Sequence, residues 1–353
     1  MRLIQKYEHF SIRILLLTCL IFTLIGTDFI TAEDKSLKYE VRKIWDQANH
    51  NAFTDLVRFD NQFLCTFREG TGHVPGENGR DGEIRVLTSA DGQQWKSFAL
   101  ISEAEVDLRD PKLSVTLDGR LMLLIGGSYY EGTKILKREP RVCFLESGSQ
   151  TFASLTPIKM DPAIRTNFDW LWRVTWHENA GYGIMYQSNQ AGVKYGLHLV
   201  KTSDGISYEN VKSFEIEDSP NEATLRFLDD GTMVMLLRRE KGKAHGIIGN
   251  AKAPYKEWEL KDLGHRLGGP DFIVLDNGKL IAGTRRYQGP AKTILAEIDL
   301  QGNFKELIEF PSGGDTSYPG FVIYKGQLWM TYYSSHEGKT SIYLATIPLN
   351  ELH

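Results

Sequence analysis

Cysteine is scarce in this chain, with three in 353 residues, and so few thiols exclude a small disulfide-stapled scaffold. Apolar residues nowhere keep a 3.6-residue period for long, which excludes a helical bundle. Beyond the first 32 residues there is no apolar run near the ~18 residues that a membrane span requires, so no transmembrane segment is expected after that point. Basic residues are in slight deficit, 41 Lys and Arg against 45 Asp and Glu, and nucleic acid is not an expected partner. The histidines, among them His50, His73, His177 and His336, are too scattered for a metal-binding spacing. Neither a metal nor a cofactor is expected, although His50 and His73 are candidates to line a binding mouth.

The one clearly apolar stretch lies at the start. Arg2, Lys6 and Arg13 precede an apolar run from Ile14 to Ile25, and Ile30-Thr31-Ala32 places a small residue before a charged stretch. That order reads as a secretory signal peptide over 1–32, and the run is too short for a membrane anchor. The remaining residues, 33–353, are expected to form one domain, exported to the periplasm or the exterior and monomeric. Cys65 and Cys143 both fall in apolar strand-like segments, where buried free thiols or one bridge are the alternatives.

The rest of the chain repeats itself. Six segments, Phe53–Phe67, Asp110–Ile125, Trp172–Tyr186, Glu222–Leu237, Asp271–Thr284 and Tyr318–Tyr332, each run strand, tight turn, more apolar strand. Their turns include Asp118-Gly119, Asp230-Gly231 and Asn277-Gly278, the strongest short hairpin signals. A period of roughly 50 residues is that of a four-stranded propeller blade, so the expected fold is an all-β, six-bladed β-propeller. An open ring would leave a long unpaired sheet edge. Leu37–Trp45 lacks a hairpin of its own and the last blade is one strand short, so the amino-terminal strand is expected to close the ring.

Two turns carry a finer mark. Ser89-Ala90-Asp91-Gly92-Gln93-Gln94-Trp95 and Thr202-Ser203-Asp204-Gly205-Ile206-Ser207-Tyr208 share a hydroxyl residue, Asp-Gly and an aromatic three residues on. The Asp can accept backbone N–H groups, the Gly can take positive φ and the aromatic can pack between sheets. The pattern resembles the Asp-box of sialidases, one residue shorter in its loop, with weaker relics ending at Phe152, Trp258 and Phe304.

Likeness to the sialidase family extends over nearly the whole chain after the leader. Asn221-Glu222-Ala223-Thr224-Leu225-Arg226 through Leu237-Arg238 resembles the segment in which a Glu opens the fourth blade and an Arg ends its second strand. The resemblance implies that Glu222 polarises a nucleophile and that Arg238 holds a substrate carboxylate. Ser317-Tyr318-Pro319-Gly320 is similar to the segment supplying the family's tyrosine nucleophile, which implies that role for Tyr318. Phe67-Arg68-Glu69-Gly70 resembles the strand end before the loop that supplies the acid, for which Asp81 is the first choice. A neutral nucleophile avoids the carboxylate at the reacting carbon of a sialic acid, and guanidinium forks hold that carboxylate.

One member of the family's arginine triad has no counterpart, because His50-Asn51-Ala52-Phe53-Thr54 stands where the first blade should bring its arginine. The triad is either rebuilt from Arg68, Arg109 or Arg285, or the sugar is not a sialic acid. The inner strand starts carry Asp55, Arg109 with Asp110, Arg173, Glu222, Asp271, and Asp315 with Tyr318, a ring of mixed charge that suits sugar binding. Two suitably spaced carboxylates of that ring could also run ordinary glycoside hydrolysis. The expected function is a sialidase-type exo-glycosidase acting on a glycan. The alternatives are a glycosidase or lyase on another sugar, and a non-catalytic glycan-binding propeller.

Overall fold

Short alternating segments separated by Asp-Gly and Asn-Gly turns can satisfy their backbone groups only by pairing with their neighbours, and they do so as six antiparallel sheets. The computed structural model describes residues 37–76, 79–187 and 196–352; the proposed signal peptide lies outside them. The first blade is His50–Phe59, Gln62–Gly70, Glu83–Ser89 and Lys96–Ile101. The second is Asp107–Val115, Leu121–Glu131, Lys134–Leu145 and Thr156–Pro157. Asp169–His177, Ala180–Gln187, Leu197–Thr202 and Ser207–Ser213 make the third, with Lys159–Met160 added in parallel at its outer edge. The fourth comprises Pro220–Phe227, Met233–Arg239, His245–Ala251 and Glu259–Arg266, and the fifth Asp271–Val274, Leu280–Arg286, Lys292–Ile298 and Phe304–Glu309.

The sixth blade holds Thr316–Tyr324, Gln327–Ser334 and Ser341–Pro348, and its fourth strand is Glu40–Trp45, paired antiparallel with Ser341–Pro348. The amino-terminal strand therefore closes a six-bladed β-propeller, as the sequence implied. Among the described residues there is no α-helix, and no helix long and apolar enough to cross a membrane.

Six apolar clusters fill the six gaps between neighbouring blades. One joins Phe59, Leu64 and Val86 to Leu113, Leu123 and Cys143, while another sets Phe53, Phe63 and Phe67 against Trp329, Tyr333 and Leu344 at the ring closure. Each sheet is thus buried on both faces, which explains why the second strands read as continuous apolar runs. Cys65 and Cys143 are separate buried thiols, and burial pushes the Cys143 thiol up to about 12.

The two Asp-Gly turns share one hydrogen-bond scheme. Asp91 Oδ1 accepts from Gln93 N (2.7 Å) and Gln94 N (3.1 Å), and Asp204 Oδ1 accepts from Ile206 N and Ser207 N (both 2.7 Å). Gly92 and Gly205 adopt φ of 72° and 77°. Trp95 Nε1 and Tyr208 Oη each donate back to the glycine carbonyl three residues earlier. These turns hold outer strands together and lie apart from the mouth residues described below.

Adjacent inner strands approach so closely that side-chain volume becomes limiting. A Cβ on Gly320 would lie 2.3 Å from Leu56 N and 2.6 Å from Asp55 Cα, backbone atoms that have no room to yield. Gly320→Ala should therefore cost about 3 kcal/mol through overpacking at the junction of the sixth and first blades. Thermal unfolding should show a clear fall in Tm; an unchanged Tm would mean that the junction is looser than described.

Candidate functional site

Five of the six inner strands begin earlier than the turn pattern suggested, and the difference locates the site. In five blades the innermost strand carries a β-bulge in which two residues oppose one: Phe53-Thr54, Asp110-Pro111, Trp172-Arg173, Asn221-Glu222 and Tyr318-Pro319. A bulge bends the strand and re-aims a side chain. Here it puts a ring or a charged group toward the shared axis. Phe53, Asp110 and Tyr318 take positive φ at these bulges, 66°, 47° and 55°, a costly conformation for residues with side chains that the surrounding packing must hold.

Tyr318, Glu222 and Arg238 come together although 96 residues separate the first two. Tyr318 Oη donates to Glu222 Oε1 at 2.6 Å, Arg238 Nη1 meets the same oxygen at 2.7 Å, and Gly269 N donates to Glu222 Oε2 at 2.9 Å. Arg238 is the residue that faces the Asn221-Glu222 bulge across the sheet. Around the phenol, Phe53 stands at 5.0 Å, Trp172 at 5.5 Å and Tyr333 at 5.7 Å between ring centroids. Lys112 Nζ lies 4.8 Å from the Trp172 ring centre and 5.9 Å from that of Tyr318.

This enclosure sets the electrostatics. Burial, then the charge of Glu222, pushes the Tyr318 phenol well above its ordinary range, while Arg238 pulls the other way. Burial works against the charge of Arg238, but Glu222 outweighs it and keeps the guanidinium firmly protonated. Burial lowers the Lys112 ammonium to about 8. Asp110 is raised by burial, with Arg109 and Lys112 opposing, and its Oδ1 is out of solvent with no hydrogen-bond partner.

The other arginines occupy defined places. Arg109 Nη1 donates to the His73 carbonyl (2.9 Å) and lies 3.4 Å from Asp107 Oδ2. Arg285 donates to Thr316 O (2.6 Å) and stands 3.3 Å from Asp315 Oδ1. Arg109, Arg238 and Arg285 all lie within electrostatic range of the Tyr318 oxygen. Arg68 does not join them, because its fully buried guanidinium is bound to Asp107 (2.5 Å) and to Gly72 O (2.7 Å).

Asp55 and Asp271 belong to the axis beneath the mouth. Arg173 bridges them, Nη1 to Asp55 Oδ1 at 2.8 Å and Nη2 to Asp271 Oδ2 at 3.2 Å. Arg226 binds Asp271 at 2.7 Å, and Leu113 N donates to Asp55 Oδ2 at 2.7 Å. Both carboxylates are 1 % exposed, too buried to meet a ligand. Asp81 is half-buried beside Arg68 and Asp107; burial and the charge of Asp107 push its carboxyl up.

From the sequence, His50 and His73 are candidates to line the mouth but too scattered for a metal-binding spacing; in the structure both reach Asp315. His50 Nε2 stands 3.1 Å and His73 Nδ1 2.9 Å from Asp315 Oδ2, while Tyr333 Oη donates to Oδ1 at 2.8 Å. These donors hold the Asp315 carboxyl far below its usual range, against the opposing effect of burial. No local spacing announces a contact over 242 residues; only ring closure creates it.

No protein-family model matches the chain, and no curated protein matches it. Several solved structures share its fold. A protein of unknown function from Dyadobacter fermentans is 17% identical with a TM-score of 0.75, over 87% of this chain and 99% of that one. Trypanosoma rangeli sialidase is 12% identical with a TM-score of 0.67, over 89% of this chain and 60% of that one. The α-L-arabinofuranosidase of Fusarium graminearum, in complex with an iminosugar inhibitor, is 12% identical with a TM-score of 0.64, over 88% of this chain and 97% of that one. The likeness is one of fold. The chain spans 60% of the length of the sialidase it matches, and two of these three neighbours are named as glycoside hydrolases.

The axial ion network makes a stability prediction separate from any chemistry. Asp55→Ala strands the Arg173 cation and orphans Leu113 N, so urea unfolding should report a loss of about 3–5 kcal/mol. A change below about 1 kcal/mol would mean that water or Asp271 alone satisfies Arg173.

Proposed function

We propose that this chain is a retaining, exo-acting glycoside hydrolase of sialidase type that releases a terminal acidic sugar from a glycan. The single observation that carries this reading is the 2.6 Å hydrogen bond from Tyr318 Oη to Glu222 Oε1. A partly buried tyrosine whose proton is already directed at a carboxylate is an activated nucleophile. In the reaction Tyr318 Oη bonds to the anomeric carbon as its proton passes to Glu222, and the bond to the leaving group breaks. Water then releases the sugar, and Glu222 returns the proton to Tyr318.

Arg109, Arg238 and Arg285, each of which feels the charge of Tyr318, support an anionic substrate. Of the four arginines considered, Arg68 is the one without access to it. Phe53, Trp172 and Tyr333, each at most 1 % exposed, pack around the Tyr318 ring and fix its position. Export by the segment 1–32, and a single catalytic domain over 33–353, belong to the same proposal.

One observation favours a second reading. Each of the three guanidiniums already faces a carboxylate, Arg238 with Glu222 and Glu240, Arg109 with Asp107 and Arg285 with Asp315. A site neutralised in this way suits an uncharged sugar, as the fold likeness to an arabinofuranosidase would allow.

A panel of fluorogenic glycosides separates the two readings. The α-sialoside should be turned over faster than neutral furanosides and pyranosides, and faster turnover of a neutral glycoside would select the second. In either case Tyr318→Phe should lose about a thousand-fold or more in kcat with its Tm unchanged, and Glu222→Gln about 100- to 10 000-fold. A folded Tyr318→Phe protein of undiminished turnover would exclude both.

A further inference from the structure

We infer that His73, oriented by Asp315, is the acid/base residue of this site, an inference that rests on the glycosidase reading above. Asp315 Oδ2 lies 2.9 Å from His73 Nδ1. A carboxylate on Nδ1 fixes that nitrogen as the protonated one and leaves Nε2 to exchange a proton with a ligand, the logic of an Asp–His dyad. His73 Nε2 has no hydrogen-bond partner among the described residues, and the side chain is 52% exposed. Its partner is fixed more firmly than a surface carboxylate, since Asp315 also takes Tyr333 Oη, Arg285 and His50.

The dyad stands beside the proposed nucleophile without touching it. The Phe53 ring is 5.1 Å from the His73 ring and 5.0 Å from the Tyr318 ring. The buried Phe53 ring separates the two groups. The backbone under His73 is held too: Arg109 Nη1 binds its carbonyl, and Arg68 Nη1 binds the carbonyl of Gly72. The charged and titratable groups that act on the imidazole are Asp315, His50 and Asp110. Asp81, the acid expected from the sequence, has Asp107, Arg68 and Glu105 as its charged neighbours instead.

The proton balance closes. In the first step the imidazolium gives its Nε2 proton to the departing glycosidic oxygen as Tyr318 Oη bonds to the anomeric carbon and loses its own proton to Glu222. In the second step neutral Nε2 takes a proton from the attacking water, the water oxygen bonds to carbon, and Tyr318 leaves with the proton held by Glu222.

Removing an acid/base residue harms poor leaving groups far more than good ones. His73→Gln should therefore lose about 100- to 10 000-fold in kcat/KM on sialyllactose and much less on 4-methylumbelliferyl α-sialoside. Added azide should restore turnover of the latter, giving a glycosyl azide of retained configuration. The pH profile of Asp315→Asn should be displaced from that of the wild type. Three results would each overturn the assignment: the azide rescue appearing in Asp81→Asn instead, an equal loss on both substrates in a folded His73→Gln, or activity abolished by EDTA and restored by zinc. The last would make His50, His73 and Asp315, whose donor atoms all lie within 4.8 Å of one another, metal ligands. Failure of the underlying reading looks different, as wild-type protein that turns over no glycoside of the panel, and it removes the His73 role as well.

Discussion

Everything at the mouth stands on the guanidinium of Arg173, held between Asp55 and Asp271 at the axis. Inner strands of a propeller converge there, and their polar groups leave water together. Charges in such a place persist only if they are paired and hydrogen-bonded. The network meets that condition with groups from five blades: Asp55 from the first, Leu113 N from the second, Arg173 from the third, Arg226 from the fourth and Asp271 from the fifth. Inner-strand threonines extend the stitching, since Thr54, Thr175 and Thr224 donate to the carbonyls of Tyr318, Leu225 and Pro270 on neighbouring blades. Blades fixed in angle at the axis give the residues above it fixed distances.

Above that floor the bulges select which residues look inward. A regular strand alternates its side chains between the two apolar gaps, and a bulge is what lets a phenol as large as that of Tyr318 turn out of them. The extra residue in each bulge breaks the alternation once, where Tyr318, Asp110 and Glu222 occur. Positive φ at Tyr318 and Asp110 is the local cost of that turn. The apolar clusters on either side, Phe53 and Tyr333 among them, supply the packing that sustains it.

The fold was legible because it rests on local chemistry repeated six times. Each Asp-Gly or Asn-Gly turn reports a hairpin by itself, and the unpaired Leu37–Trp45 segment and the short last blade point to each other. The grouping of Tyr318, Glu222 and Arg238 was readable only through likeness to a family, because no short-range rule links residues in different blades. In five of the six blades the inner strand starts two or three residues before the point the turn pattern marks, since a bulge has no signature when the extra residue is a Phe, a Trp or a Tyr. Burial hid the separation between axis and mouth: Asp55 and Asp271 sit at strand starts yet are paired out of reach of solvent, and Asp315 gave no sign that it would gather His50, His73 and Arg285. Arg68 followed the same logic, because an arginine at a strand end looks available until Asp107 claims it.

Trapping the covalent intermediate would test the role of Tyr318 most directly. After incubation with a fluorinated, activated sialosyl donor, digestion and mass spectrometry should find the sugar on the peptide containing Tyr318, bound through the phenolic oxygen. A sugar found instead on a carboxylate, or no adduct under conditions where the donor's leaving group is released, would contradict the account.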